Sequence, residues 1–109
     1  MYSQTVWGTI LSDKHYVDGS IVMQGHEVLK GLVGVDTHEH TERIPIVENS
    51  SDQIALSHVI ENVLLENALI HGIYIRRHGL YAWGETVEEA RRNIEIFEFL
   101  FEVLAHSNR

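Results

Sequence analysis

The chain has 109 residues, which suffices for one domain with a core that needs no disulfide. Its 16 acidic and 8 basic side chains give a formal net charge of −8 without a basic patch, so nucleic acid is not an expected partner. The sequence has no cysteine, no apolar run near the roughly 20 residues of a membrane helix, and no pattern of a secretory signal at its start. We therefore expect a cytoplasmic protein without a membrane partner, in which the eight histidines are the side chains best suited to metal or proton chemistry.

The first half of the chain carries weak structural patterns. We interpret residues 3–12 as a helix, 26–32 as a second short helix, and 36–42 as a solvated loop crowded with acidic side chains. Residues 44–47 are interpreted as a short strand. Because Pro45 has no N–H to donate to a ladder, it confines this strand to a sheet edge, a bulge or a strand start.

Two helices with N-terminal caps are predicted in the second half. The first covers 52–66, with Ser50 and Gln53 at the spacing of a capping box. Its apolar face is expected to hold Leu56, Val59, Ile60 and Val63. The second helix follows Thr86, and Glu89 three residues later completes another capping box.

The last helix is apolar on two sides. One face recurs at steps of three and four residues and holds Val87, Ala90, Ile94, Phe97, Phe101 and Leu104. A second apolar face holds Ile96, Phe99, Leu100 and Val103, and the polar stripe holds Glu95, Glu98 and Glu102. Two apolar faces need burial on two sides, either by a core and a covering element or by a subunit interface.

Between these helices, the β-rich stretches 72–77 and 80–84 flank a possible tight turn and predict two short strands. His78 lies at a strand end before a glycine, where its imidazole can point into a cleft and hold a metal, although a structural role is the commoner one. Arg76 and Arg77 alternate faces if they lie on a strand, so one of them can face an anion. Solvent or a carboxylate partner is the simpler alternative.

Two further candidates lie earlier in the chain. Glu27 is a possible general base at a helix start, where favourable placement near the positive end of the helix dipole explains it equally well. His38 and His40 have the spacing of zinc ligands on a strand, but no strand-forming residues surround them. No partner for the other histidines is evident from the sequence, among them His15, His58, His71 and His106.

Several motifs together resemble one known family. They are R-R-H-G-L-Y-A-W-G-E at 76–85 with the helix I-E-I-F-E-F-L-F-E at 94–102, G-H-E-V-L-K-G at 25–31, and I-P-I-V-E-N at 44–49. These stretches resemble the C-terminal half of the class II aldolase/adducin family, in order and over essentially the whole chain. The R-H-G-x-Y-x-W-G run is the most specific of them.

The resemblance implies a mixed α/β fold of the α+β type. The family domain has three αβα layers around a largely antiparallel sheet and assembles as an oligomer. Residues 1–109 would then form a partial domain without the N-terminal half of the family domain, including its phosphate-binding loop. A homo-oligomer or a longer family member is the implied protein partner.

The resemblance also implies a zinc-dependent lyase that dehydrates a sugar phosphate. The family holds its zinc with three histidines, two from an H-T-H motif and one from the R-H-G motif, and the last of these corresponds to His78. The catalytic glutamate corresponds to Glu27. The H-T-H motif would fall at or just before residues 1–3, which contain no histidine, so we expect an incomplete metal site in this chain.

Two other functions stay open. The adducin branch keeps the fold without the metal chemistry, so the chain would be a non-catalytic assembly or interaction module. Another sugar-phosphate aldolase or epimerase of the same family is the third possibility, because these enzymes share the zinc site.

Overall fold

In the computed structural model, residues 1–24, 41–67 and 70–107 are described, and they form a five-stranded sheet flanked by helices. The strand order is β1-β5-β4-β3-β2, and every neighbouring pair is antiparallel except the parallel pair β3–β4. The elements in chain order are β1 Tyr2–Ser3, α1 Val6–Lys14, β2 Ser20–Gln24, β3 Thr41–Val47, α2 Gln53–Glu66, β4 Gly72–Ile75, β5 Gly79–Ala82 and α3 Val87–Ser107. The predicted mixed α/β class with a largely antiparallel sheet is confirmed. Across the described residues, no helix is both long and apolar enough to cross a membrane.

Successive residues of β4 contribute to two separate apolar clusters. Tyr74 belongs to the larger cluster, which joins α1 and α3 to one face of the sheet. Its neighbours Ile73 and Ile75 belong to a smaller cluster with Val47 and Leu56, the one buried residue of α2. This alternation is the ordinary consequence of a strand with period two, and it places helices against both faces.

Helix α3 begins as the sequence predicts. The hydroxyl of Thr86 accepts a hydrogen bond from the Glu89 N–H at 3.1 Å. In a capping box the Glu89 carboxylate would accept from the N–H of the N-cap residue, Thr86. Here it accepts instead from the N–H of the preceding residue, Glu85, at 2.8 Å. Phe97, Leu100 and Phe101 are then fully buried, so this face of α3 forms the centre of the core.

The second apolar face of α3 is only partly covered. Ile96 and Leu100 are buried in the same large cluster, and α1 packs against α3. Phe99 stays 54 % exposed, and Val87, predicted on the first face, is 66 % exposed. Helix α1 therefore covers part of the second apolar face of α3.

Helix α2 has the predicted bounds but a different cap and face. Asp52 is the N-cap, because its carboxylate accepts hydrogen bonds from two backbone N–H groups of the first turn. The predicted capping box of Ser50 and Gln53 is wrong, since the Ser50 hydroxyl accepts instead from the Asp52 N–H. A carboxylate is also favoured at this position by the helix dipole. Val59, predicted on the apolar face, is 45 % exposed.

The first half of the chain contains two strands that the sequence analysis missed. The helix predicted over 3–12 begins only at Val6, after the N-cap Thr5. Tyr2 and Ser3 form strand β1, which pairs with β5. Strand β2 alternates, with Ile21 and Met23 buried and Val22 exposed. The short helix predicted over 26–32 lies outside the described residues.

The predictions for β3 need two corrections. Thr41 and Glu42 belong to the strand, so the loop predicted over 36–42 is wrong at its end, and 36–40 lie outside the described residues. Pro45 lies inside an internal strand, not at an edge or a strand start. The Ile46 N–H donates to the Gly19 carbonyl on the β2 side of the strand. Because successive N–H groups of a strand point to opposite sides, the nitrogen of Pro45 faces β4. The pairing between β3 and β4 begins only at Ile46. The missing N–H therefore falls where that ladder starts.

Candidate functional site

The β4–β5 hairpin presents His78 at a tight turn. Ile75 pairs with Gly79, which leaves residues 76–78 as the loop, closed by a hydrogen bond of 2.9 Å from the His78 N–H to the Ile75 carbonyl. Arg77 has a φ of 60°, in the left-handed region. The two predicted strands and the turn are confirmed, with the turn one to two residues earlier than expected.

Gly79 is required by the close approach of β1. Its φ is 157°, and a Cβ at this position would lie 2.5 Å from the ring of Tyr2 and 2.6 Å from the Ser3 carbonyl oxygen. Such distances leave no room for a side chain. The glycine of the R-H-G motif thus allows the first residues of the chain to pack directly beside His78.

Two tyrosines surround the half-buried His78. Its Nε2 lies 3.0 Å from the Tyr81 hydroxyl, and the Tyr2 hydroxyl donates to the His78 carbonyl at 2.6 Å. The Tyr2 ring lies 5.1 Å from the imidazole and 5.0 Å from the Tyr81 ring. The segment in which the family resemblance would place the other histidines therefore does lie beside His78, with Tyr2 as its contacting side chain.

The described residues do not form a metal site. No three His, Cys, Asp or Glu side chains among them are grouped so that they could hold a metal ion. His78 is one candidate ligand, and its role stays a prediction. Glu27, His38 and His40 lie outside the described residues, so their predicted roles are untested as well.

Arg76 is held by carboxylates and is not directed at a free anion. Its Nε lies 2.9 Å from Asp13 and its Nη1 3.5 Å from Glu48. Its guanidinium also lies 4.0 Å from the centre of the Tyr16 ring. The hydrogen bond with Asp13 raises the pKa of Arg76, and hydrogen bonding to Glu48 raises the pKa of the Tyr16 hydroxyl.

The predicted alternation of Arg76 and Arg77 along a strand is wrong, because both lie in the turn. The alternative of a carboxylate partner is confirmed for Arg76. Arg77 is 71 % exposed, with its Nε 3.9 Å from Asp13. Arg76 therefore connects the hairpin turn to α1 and to the residue after β3, whereas Arg77 is largely exposed to solvent.

The sequence analysis missed a contact between a buried carboxylate and a partly buried histidine. The Glu42 carboxylate, 2 % exposed, lies 2.9 Å from Nδ1 of His71 and accepts from the His71 N–H at 3.3 Å. Glu42 is in phase with Ile44 and Ile46, which are also buried. That period of two was the available signal, and the neighbouring acidic residues concealed it.

Two other histidines, His15 and His106, contact neighbouring side chains. His15 lies 3.3 Å from Asp18, and the His106 ring lies 5.0 Å from the ring of Trp7. His58 is exposed on α2.

An open apolar cleft of about 370 Å³ lies between α2 and the strands β4 and β5. Tyr81 links the cleft to the histidine, because this residue lines the cleft and its hydroxyl contacts His78. The remaining apolar lining residues are Leu56, Ile60, Leu64, Ile73, Ile75 and Trp83. Gln53 and Ser57 are the polar lining residues, and neither carries a charge.

Comparison with curated proteins gives consistent relatives. The chain is 37 % identical over 98 residues to a methylthioribulose-1-phosphate dehydratase of Parvibaculum lavamentivorans, covering 90 % of this chain and 48 % of the relative. It is 41 % identical over 93 residues to a protein of the same name from Stenotrophomonas maltophilia, covering 85 % and 43 %. A third, from Pectobacterium carotovorum, is 38 % identical over 102 residues, covering 94 % and 49 %.

The chain spans about half the length of the curated relatives it matches. The family model described as the class II aldolase and adducin N-terminal domain matches residues 1–105, which is nearly the whole chain. Together with the R-H-G hairpin and the largely antiparallel sheet, this match shows that the chain belongs to the class II aldolase and adducin family.

Proposed function

We propose that this chain serves in the dehydration of methylthioribulose 1-phosphate, a step of methionine salvage, as part of a zinc-dependent lyase. The observation that carries the proposal is the R-H-G hairpin, which presents His78 beside the first strand in a chain 37–41 % identical to dehydratases of that name. The shared name of these relatives favours dehydration over an aldolase or epimerase reaction.

The proposed reaction is an elimination of water next to a ketone. Glu27 takes the proton from the carbon beside the carbonyl, and the electron pair left behind forms an enediolate. Hydroxide then leaves the neighbouring carbon and departs as water with a proton from a general acid. Glu27 is suited to this role by the G-H-E-V-L-K-G segment, which resembles the corresponding segment of the family.

His78 is proposed to supply one of the zinc ligands. A catalytic zinc ion takes three protein ligands and keeps one position open, and the described residues alone do not meet this requirement. The other ligands are therefore proposed to come from outside the described residues, with His38, His40 and a neighbouring chain as the candidates.

The assembly is part of the same proposal. The partial domain would contribute to a three-layer αβα arrangement in the cytoplasm, with a homo-oligomer or a longer family member as its partner. The 54 % exposure of Phe99 on α3 and the open cleft beside α2 support a partner chain.

A non-catalytic, adducin-like assembly module is the second candidate. The incomplete ligand set among the described residues favours it, because a module of this kind needs the fold and its exposed apolar surface but no metal chemistry.

An activity assay separates the two candidates. Zinc-supplemented protein is given methylthioribulose 1-phosphate, both as the chain alone and after coexpression with the unmatched half of the Pectobacterium relative. We expect turnover in at least one sample, with at least a 100-fold loss in His78→Ala. His58→Ala, which removes an exposed histidine on α2, is the matched control and should retain full turnover. No turnover in either sample of folded protein would overturn the catalytic proposal and favour the module.

A further inference from the structure

The hairpin turn at residues 76–78 extends beyond the ladder that precedes it. Strands β4 and β5 pair as far as Ile75 and Gly79, so the turn lies past their last pair. The hydrogen bond from the His78 N–H to the Ile75 carbonyl closes the turn, but it does not set the direction of the turn relative to the rest of the fold. Contacts with other elements therefore determine where His78 lies.

On the side of β1, the hairpin turn is held through its contact with Tyr2. The Tyr2 hydroxyl donates to the His78 carbonyl at 2.6 Å, and the two rings lie 5.1 Å apart. Strand β1 has only two residues, which is shorter than most strands in globular proteins. A strand of this length restrains its neighbour weakly, so a second attachment of the turn is needed.

On the side of β3, Arg76 attaches the turn to two other elements. Its N–H donates to the Val47 carbonyl at 2.8 Å. Its guanidinium Nε lies 2.9 Å from Asp13, near the end of α1, and its Nη1 lies 3.5 Å from Glu48, the residue after β3. The guanidinium also lies over the ring of Tyr16, 4.0 Å from its centre.

Helix α1 has a fixed position to which the turn can be attached. A Cβ at Gly8 would lie 2.8 Å from the ring of Tyr74, which is 1 % exposed, so the helix approaches the sheet closely. Leu11 is also 1 % exposed and belongs to the large cluster. Because α1 is packed into the core, the contact between Arg76 and Asp13 restrains the turn and not the helix.

The network around Arg76 suits the placement of a turn better than ligand binding or stability. A guanidinium presents a planar fork that pairs with carboxylates while its face lies on an aromatic ring. Two carboxylates already surround this one, which argues against direct binding of an anionic substrate. Asp13 and Glu48 are 41 % and 58 % exposed, and exposed ion pairs contribute little to the free energy of unfolding.

We propose that Arg76 is a positioning residue for His78. Its contacts with Asp13 and Glu48 hold the hairpin turn in the direction that places the imidazole beside the two tyrosines and the first strand. The importance of this placement for zinc binding rests on the proposed function, whereas the placement itself does not.

Nuclear magnetic resonance of the folded chain tests the placement without zinc. In Arg76→Gln we expect displaced ring-proton signals of His78 and a loss of Overhauser intensity between the His78 and Tyr2 rings. Arg77→Gln is the matched control, because it removes the same charge from the next residue, whose side chain is 71 % exposed. It should leave both readings unchanged. Circular dichroism confirms that the variants are folded.

A second variant changes the other partner of the ion pair. Asp13→Asn removes the charge on α1 and keeps the size of the side chain, so it should displace the same His78 signals. Adding Asp13→Asn to Arg76→Gln should change these signals little further, because both substitutions remove one contact. In a sample that binds zinc, Arg76→Gln should lower the zinc affinity about tenfold, and Arg77→Gln should leave it unchanged.

Two results would overturn the proposal. The first is an unchanged set of His78 signals in folded Arg76→Gln or, if that variant does not fold, in Asp13→Asn. The second is an equal displacement in Arg77→Gln, which would assign the effect to charge alone. A wild-type chain that binds no zinc would contradict the proposed function instead, and the resonance measurements would still decide the role of Arg76.

Discussion

The side of the sheet that packs against α1 and α3 differs in completeness from the side that packs against α2. Among the described residues, thirteen buried apolar side chains form the first cluster and four form the second. Both clusters take residues from the same strand β4. The strands contribute seven residues to the first cluster and three to the second, and the helices contribute six and one, so the larger part of the difference comes from the helices. A strand pattern alone therefore does not show whether both faces of a sheet are closed.

The largest expected difference between the two sides of the sheet comes from truncating one leucine on each of them. Leu100→Ala removes a fully buried side chain from α3 and should lower the free energy of unfolding by about 4 kcal/mol. Leu64→Ala removes a 39 % exposed side chain from α2 and should cost about 1 kcal/mol or less. Urea denaturation measures both, and equal losses would contradict the difference between the two sides.

The edge of the sheet beside His78 gives a second, smaller effect. Gly79→Ala combines an unfavourable φ with a clash against Tyr2 and Ser3, so it should cost about 3 kcal/mol. Gly19→Ala is the control, because its φ is 82° but nothing lies within 4 Å, and backbone strain alone should cost about 1 kcal/mol. Thermal unfolding compares the two variants. A Gly79→Ala protein as stable as Gly19→Ala would show that β1 does not pack as described.

The smallest effect concerns the cap of α2. Asp52→Ala removes the acceptor of two backbone N–H groups and should cost about 1 kcal/mol. Asp52→Asn keeps an acceptor and should be nearly neutral. Because α2 buries one residue, the loss should appear mainly as faster amide hydrogen exchange within α2, while exchange in α3 stays unchanged. Uniform acceleration in both helices would contradict independent stability of the two sides.

Local patterns predicted the elements that carry their own signals. The hairpin around His78, the bounds of α2 and the Thr86 cap of α3 all follow from residues close together in the chain. Contacts between residues distant in the chain were missed, because no local pattern encodes them. Strand β2 and the contact between Glu42 and His71 depend on which strands become neighbours, and the position of Pro45 depends on where one ladder begins.

In the candidate site, too, the local feature was predicted from the sequence and the long-range contact was not. The R-H-G motif predicted that His78 lies at a turn, and the structure adds the two tyrosines that surround it. The contact with Tyr2 joins residues 76 positions apart, so no local pattern reveals it. The roles of Glu27 and of the zinc ligands stay predictions.

The most direct test of the account is the zinc content of the folded chain after zinc addition and exhaustive dialysis. Two samples are compared, the chain alone and the chain coexpressed with the unmatched half of the Pectobacterium relative. We predict about one zinc ion per chain in at least one of them, retained in His58→Ala and lost in His78→Ala. That result would establish His78 as a ligand and leave the remaining ligands to be located. Folded wild-type protein that retains no zinc in either sample, or a His78→Ala variant that retains it fully, would contradict the proposed role of His78.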